Sequence, residues 1–129
     1  MTTAHPLVSL DVDFATSLPG LEPRTSFRLE SIDAAEGLYA LRSTIDDLRL
    51  FLLDPVSGGL DYRPRLPAAA LADIGAAADE ARMFVVANPG EDGVSVNLRA
   101  PILINARTGA AAQVIFDDTT YPIRARLAA

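Results

Sequence analysis

Apolar and polar residues alternate with period two along much of the chain, and that spacing predicts β-strands. Val8, Leu10, Val12 and Phe14 alternate with Ser9, Asp11 and Asp13, so a strand here has one buried face and one wet face. Leu18-Pro19-Gly20 reads as a turn, because Pro presets φ and Gly supplies the freedom to follow it. Phe27 and Leu29 alternate with Arg28 and Glu30 in a second short strand. Residues 38–43 and 48–54 read as two strands joined by a turn at Asp46-Asp47. Asp54-Pro55 ends the second, since a residue before Pro is held extended and Pro cannot donate to a ladder. Ser57-Gly58-Gly59 then reads as a flexible loop.

One helix is expected. It begins near Pro67, which suits a first helical turn, propagates through the alanine-rich residues 68–74, and stops at Gly75. The alternative is continuation through residues 76–81 with Gly75 tolerated inside, at a cost of about 1 kcal/mol. Strand signals then resume. Residues 83–87 are apolar throughout, as in a strand covered on both faces. Residues 88–93, Asn-Pro-Gly-Glu-Asp-Gly, are dense in turn formers and predict an exposed hairpin loop. Residues 94–98 and 101–104 read as strands, and Arg107-Thr108-Gly109 as a turn. Residues 112–116 and 121–127 close the chain as strands around a turn at 117–120. The fold class is therefore mainly β. Residues 1–129 are expected to form a single-domain antiparallel β-barrel or barrel-like sandwich, with about 8–9 short strands and a short helix near 67–74.

Composition narrows the function more than the fold. Half of the 129 residues are apolar, enough for a packed core. There is no cysteine, which removes disulfides, thiolate nucleophiles and sulfur-ligated zinc. No basic start followed by an apolar run marks a secretion signal, and no apolar stretch approaches the roughly 20 residues that span a bilayer. A cytoplasmic protein without a membrane partner is expected. The net charge of −6 argues against direct nucleic-acid binding, which relies on clustered Lys and Arg. Residues 1–60 hold nine acids against four arginines, and residues 61–129 hold eight against seven. An acidic half of this kind steers basic protein partners, although ordinary solubility charge looks the same.

No catalytic set emerges. The one histidine, His5, lies near the N-terminus, where nothing in the sequence would fix it. Asp11 and Asp13 share a strand face but lack calcium-loop spacing, so a solvated face is the expected reading. Asp117-Asp118 and Glu91-Asp92 fall in predicted turns, where Asp is favoured for backbone hydrogen bonding. Neither glycine-rich phosphate-loop pattern occurs. Catalytic, cofactor-binding and metal-binding residues are all expected to be absent. What stands out is residues 94–105, Val-Ser-Val-Asn-Leu-Arg-Ala-Pro-Ile-Leu-Ile-Asn. Asn97 interrupts an apolar strand, where a buried amide needs partners or costs a few kcal/mol. It either pins a bulge before Arg99-Ala100-Pro101 from inside or is presented at a sheet edge to a partner. Pro101, without an N–H, is expected at an edge or a strand start.

Asn97-Leu98-x-Ala100-Pro101-Ile102-x-Ile104-Asn105 resembles the most characteristic stretch of the FliW family of flagellar assembly factors. Leu18-Pro19-Gly20-Leu21-Glu22, with Phe27 after it, resembles that family's early Pro-Gly turn. Asp54-Pro55 with Asp61-Tyr62 resembles the segment after its central strands. Gln113-Val114-Ile115 and Asp118-Thr119-Thr120-Tyr121 resemble its closing hairpin. Ser17, Leu21 and Ala112 depart from it, standing where Gly, an aromatic and a basic residue are usual.

The resemblance implies a cytoplasmic non-enzyme, monomeric when free, with two mutually exclusive protein partners. One is flagellin. The other is CsrA, the RNA-binding regulator that represses flagellin translation. Freed when flagellin is exported, a protein of this kind binds CsrA and relieves the block. By motif position the implied partner-binding residues are Asp54, Pro55, Asn97, Leu98 and Pro101. A generic β-barrel interaction module with a non-flagellar partner is the alternative, followed by a small-ligand binder using a barrel mouth.

Overall fold

The inward-facing residues of the predicted strands meet around one axis. The computed structural model describes residues 9–15, 17–32, 37–57, 60, 62–77, 79–90, 93–117 and 121–126. His5, Val8, Gly58, Gly59, Asp61, Glu91, Asp92 and residues 118–120 lie outside them. In chain order the elements are β1 (Ser9–Phe14), β2 (Ser26–Ser31), β3 (Leu38–Ser43) and β4 (Arg49–Leu53), then helix α1 (Ala68–Asp73). They continue with β5 (Ala81–Gly90), β6 (Gly93–Asn105), β7 (Ala110–Gln113) and β8 (Ala125–Arg126).

Strands β1 to β7 pair with their neighbours in chain order, each pair antiparallel, and β7 returns to β1 to close a barrel. Seven up-and-down strands leave the last running in the same direction as the first. The closing pair is therefore parallel, with Asp13 opposite Ala110 and Phe14 opposite Ala111. The barrel is antiparallel at every seam but this one. Gly109 lets the seam close. It adopts φ +85°, and a Cβ there would lie 2.0 Å from the Asp11 carbonyl oxygen. β8 stands outside the barrel, paired with β6 at Ser95 and Val96.

Val12, Phe14, Phe27, Leu29, Leu41, Leu52, Phe84, Ile102 and Ile104 fill the interior. Each such side chain contributes about 1.5–3 kcal/mol by leaving water. Two further clusters cover the outside. The chain after β4 lays Tyr62 and Leu60 over Leu53, Val85, Ala87 and Val96. Helix α1 and its flanks lay Leu66, Leu71 and Ile74 over Leu103 and Val114. Strands β5 and β6 are thus buried on both faces, which is why residues 83–87 are apolar without alternation. The outer face of β1–β3 stays wet. It carries Arg28 3.3 Å from Asp11 and Arg42 3.4 Å from Glu30, while Ser26 Oγ donates to Asp13 at 2.8 Å. The Asp11 and Asp13 face is a solvated ladder.

Several boundaries differ from the pattern-based expectation, each for a local reason. The helix is the shorter of the two alternatives, ended by Gly75 at φ +63°. Pro67 is its extended N-cap and not part of its first turn. Residues 88–90 and 93 are strand instead of loop, with Pro89 opposite Val94 and Gly90 opposite Gly93. Pro89 is tolerated because β4 pairs β5 only at residues 85–87, leaving no partner for a donor there. Residues 94–105 are one long strand instead of two. Of residues 121–126, only Ala125 and Arg126 pair, since only Ser95 and Val96 are offered to them.

Candidate functional site

The β5–β6 ladder is interrupted in the middle of the segment that the sequence singled out. Phe84 pairs with Ile102, and Val86 with Asn97. Val85 alone therefore faces Leu98, Arg99, Ala100 and Pro101. Four residues against one form a wide bulge, and their backbone groups must find partners outside the ladder.

They find them in three other segments. The Leu98 N–H donates to the Pro122 carbonyl at 3.1 Å. The Tyr62 hydroxyl donates to the Leu98 carbonyl. Asn97 Oδ1 accepts the Arg99 N–H at 3.0 Å. The Arg99 and Pro101 carbonyls accept the Phe116 and Val114 N–H groups at 2.8 and 2.9 Å. Gln113 Nε2 donates to the Ala100 carbonyl at 3.2 Å. Arg99 Nε donates to the Tyr121 carbonyl at 2.8 Å. Burial pushes the Tyr62 phenol upward from its ordinary value, with the nearby Tyr121 adding to the effect, so it remains a donor at physiological pH.

The five candidate residues separate in this frame. Asn97 pins the bulge with its carbonyl oxygen and lines a cleft with the rest of its side chain. Leu98 faces the opposite way, into the cluster of Tyr62 and Val85. Pro101 is buried inside β6, not at an edge or strand start as expected; the bulge removes the need for its missing N–H. Pro55 is buried. Asp54 accepts Arg82 at 3.0 Å and caps the turn after β4 through the Val56 N–H. Leu98 and Pro101 thus belong to the bulge that Asn97 pins, while Asp54 and Pro55 sit apart from it at the turn after β4.

That surface is a cleft of about 400 Å³ at the barrel mouth. One wall is the turn after β1, with Leu18, Pro19 and Leu21. The opposite wall is Asn97, Arg99 and Ala100 from the bulge, with Gln113, Ile115 and Ile123 beside them. Ile115 is 60% exposed and Ile123 58%, so both present apolar surface at the cleft. Arg99 is the only charged residue on the lining among the described residues. Among the described residues it has no carboxylate partner. Arg99 and Ile123 were not singled out by sequence reasoning, and Gln113 and Ile115 only as part of a family-like stretch. Ile115 and Ile123 fall in runs that read as ordinary strands, and only the shortness of β7 and β8 exposes them. Among the described residues no group of three or more His, Cys, Asp or Glu comes together as a metal site. No helix of the described residues is long and apolar enough to cross a membrane.

The family model described as FliW protein matches residues 5–127. This chain belongs to the FliW family. The flagellar assembly factor FliW of Thermotoga maritima is 30% identical over 116 residues, covering 86% of this chain and 78% of that protein. That of Caldicellulosiruptor bescii is 30% identical over 115 residues, covering 86% and 75%. A crystal structure of the flagellar assembly factor FliW superposes with a TM-score of 0.81 at 26% identity, covering 91% of this chain and 84% of the other. The FliW resemblance noted in the sequence acquires a spatial meaning here. The Pro-Gly turn, the Asn97–Pro101 bulge and the Gln113–Ile115 stretch are far apart in the chain, yet all three border the one cleft.

Proposed function

We propose that this chain binds flagellin and CsrA, each to the exclusion of the other, and that its capture of CsrA relieves repression of flagellin translation. It acts by binding and not by catalysis, in the cytoplasm. The observation that carries this reading is the convergence of three family-like stretches on one apolar cleft, in a chain whose relatives are flagellar assembly factors. The acidic first half of the chain favours encounter with a basic partner such as CsrA. Asn97 is the central contact. Its Nδ2 has no partner among the described residues and is free to donate. Leu98 and Pro101 act from behind as part of the bulge, and Asp54 and Pro55 act through the turn after β4.

Calorimetric titration of the chain against flagellin and CsrA from the same genome tests the proposal. Binding to each, with one displacing the other, is expected; binding to neither overturns it. Asn97→Asp keeps the acceptor for the Arg99 N–H and removes the free donor. It is expected to leave the melting temperature unchanged and weaken binding. Asn97→Ala loses both, and is expected to lower stability by about 1 kcal/mol as well.

A further inference from the structure

The pairing of the parallel seam ends where β1 stops. β1 ends at Phe14, opposite Ala111, whereas β7 runs two residues further, to Gln113, and the chain after it stays bonded to β6. The N–H groups of Val114 and Phe116 point to β6 and donate to Pro101 and Arg99. Alternation in an extended chain then turns the N–H and C=O of Gln113 and Ile115 the other way, toward the space that β1 has vacated. Among the described residues the Ile115 N–H finds no backbone partner, and the Gln113 N–H makes no bond to the turn that follows β1. A hollow of about 360 Å³ lies along this edge, between it and Ala15, Ser17, Pro19 and Asp73, so the carboxylate-binding end of the site is the Arg99 end, away from Asp73. It adjoins the cleft through Leu18, Pro19, Gln113 and Ile115, which line both.

Three features fix what this edge would accept. An unpaired strand edge is matched by another extended chain, which supplies the complementary N–H and C=O groups. Leu18, Leu21, Ile115 and Ile123 offer apolar walls to its alternate side chains. Arg99 places an uncompensated guanidinium on that lining, so a carboxylate is the charge that complements it. Gln113 adds a fourth feature. Its Oε1 is buried with no hydrogen-bond partner among the described residues, an unmet acceptor beside this edge.

We propose that an extended apolar segment bearing a carboxylate adds as a strand to the Gln113–Ile115 edge, with its carboxylate on Arg99. This rests on the reading of the chain as a partner-binding protein and specifies how the partner is held. The bound segment would continue the sheet where β1 leaves off. It would cover Ile115 and bring donors within reach of Gln113 Oε1.

Short capped peptides alternating Thr with Val or Ile, and carrying Asp, Asn or Lys at one position, are the probe. Amide hydrogen exchange and chemical shifts of the full chain are followed by NMR. The Asp peptide is expected to protect the Gln113 and Ile115 amides and to bind roughly tenfold more tightly than the Asn peptide, with the Lys peptide weaker still. Arg99→Gln should erase that preference and Arg99→Lys restore part of it. Ile115→Glu, at an exposed position, should abolish binding without lowering the melting temperature. Equal binding of the three peptides, or binding that leaves both amides unprotected, overturns the proposal. The same exchange measurement on complexes with flagellin and CsrA separates the two readings. If either partner binds and the two amides stay unprotected, strand addition fails while partner binding stands. If neither partner binds, the peptide data decide strand addition alone.

Discussion

Asn105 Nδ2 lies 3.0 Å from the Ile74 carbonyl oxygen, so the end of β6 holds the end of α1. The same side chain accepts the Arg107 N–H at 2.9 Å and the Thr108 N–H at 3.3 Å through Oδ1. One fully buried amide therefore closes both the helix and the β6–β7 turn. Replacing it with Ala leaves the Ile74 carbonyl buried without this donor. Asn105→Ala is expected to cost about 2–3 kcal/mol, measured as a shift in the urea midpoint at unchanged slope. A shift under about 0.5 kcal/mol would show that the turn holds without it.

Tyr62 joins the chain after β4 to the bulge. Its hydroxyl serves the Leu98 carbonyl, while its ring meets Tyr121 edge-on at 5.4 Å. Tyr62→Phe keeps the ring contact and removes the donor. The expected loss is about 1–2 kcal/mol in thermal or chemical denaturation, together with faster exchange of the neighbouring Leu98 amide.

At Gly109 the close approach to Asp11 and the positive φ act together. Gly109→Ala is expected to lose about 2–4 kcal/mol and to free the Asp13 amide, which donates to the Gly109 carbonyl at 2.9 Å. Gly20 also has positive φ, at +81°, but a Cβ there would meet nothing within 4 Å. Gly20→Ala should therefore cost less, about 1 kcal/mol, and the contrast isolates the clash.

The Arg24 guanidinium lies 2.5 Å from Asp46 and holds that carboxyl down to about 2, below the ordinary 3.8. A carboxyl whose folded value is depressed adds stability above its unfolded value and loses it as pH falls through the folded one. The contribution of Asp46 is thus complete above about pH 4 and gone below about pH 2. NMR titration of the Asp46 carboxyl should give a midpoint near 2 in the native chain and nearer 3.8 in Arg24→Gln. The pair is exposed, so its effect on overall stability is small.

The barrel was legible wherever one face was wet. Leu10, Val12 and Phe14 alternating with Asp11 and Asp13 placed β1, and Phe27 and Leu29 placed β2. The doubly covered run at residues 83–87 was legible for the opposite reason, since no polar residue interrupts it. Continuity of β6 was not legible. Pro101 and Asn97 look like strand ends in a sequence, and only the backbone partners supplied by Tyr62, Gln113, Phe116 and Pro122 let the strand run through them. The cleft was half legible. Asn97 and the Leu18-Pro19-Gly20 turn stood out by residue type. Ile115 and Ile123 did not, because exposure of an apolar residue depends on which neighbouring strand stops short.

The parallel seam also sets an order of events when the chain first folds. The pairings from β1 to β4 are hairpin contacts between near neighbours and can form as the chain emerges from synthesis. The β1–β7 pairing joins Asp13 to Ala110, across most of the polypeptide. Loop-closure entropy makes that contact slow and late, so β1 waits with one edge bare until nearly all the sequence has been made. A nascent chain of this topology is most vulnerable to mispairing in that interval, and the charges on Asp11 and Asp13 stand on the strand that must wait.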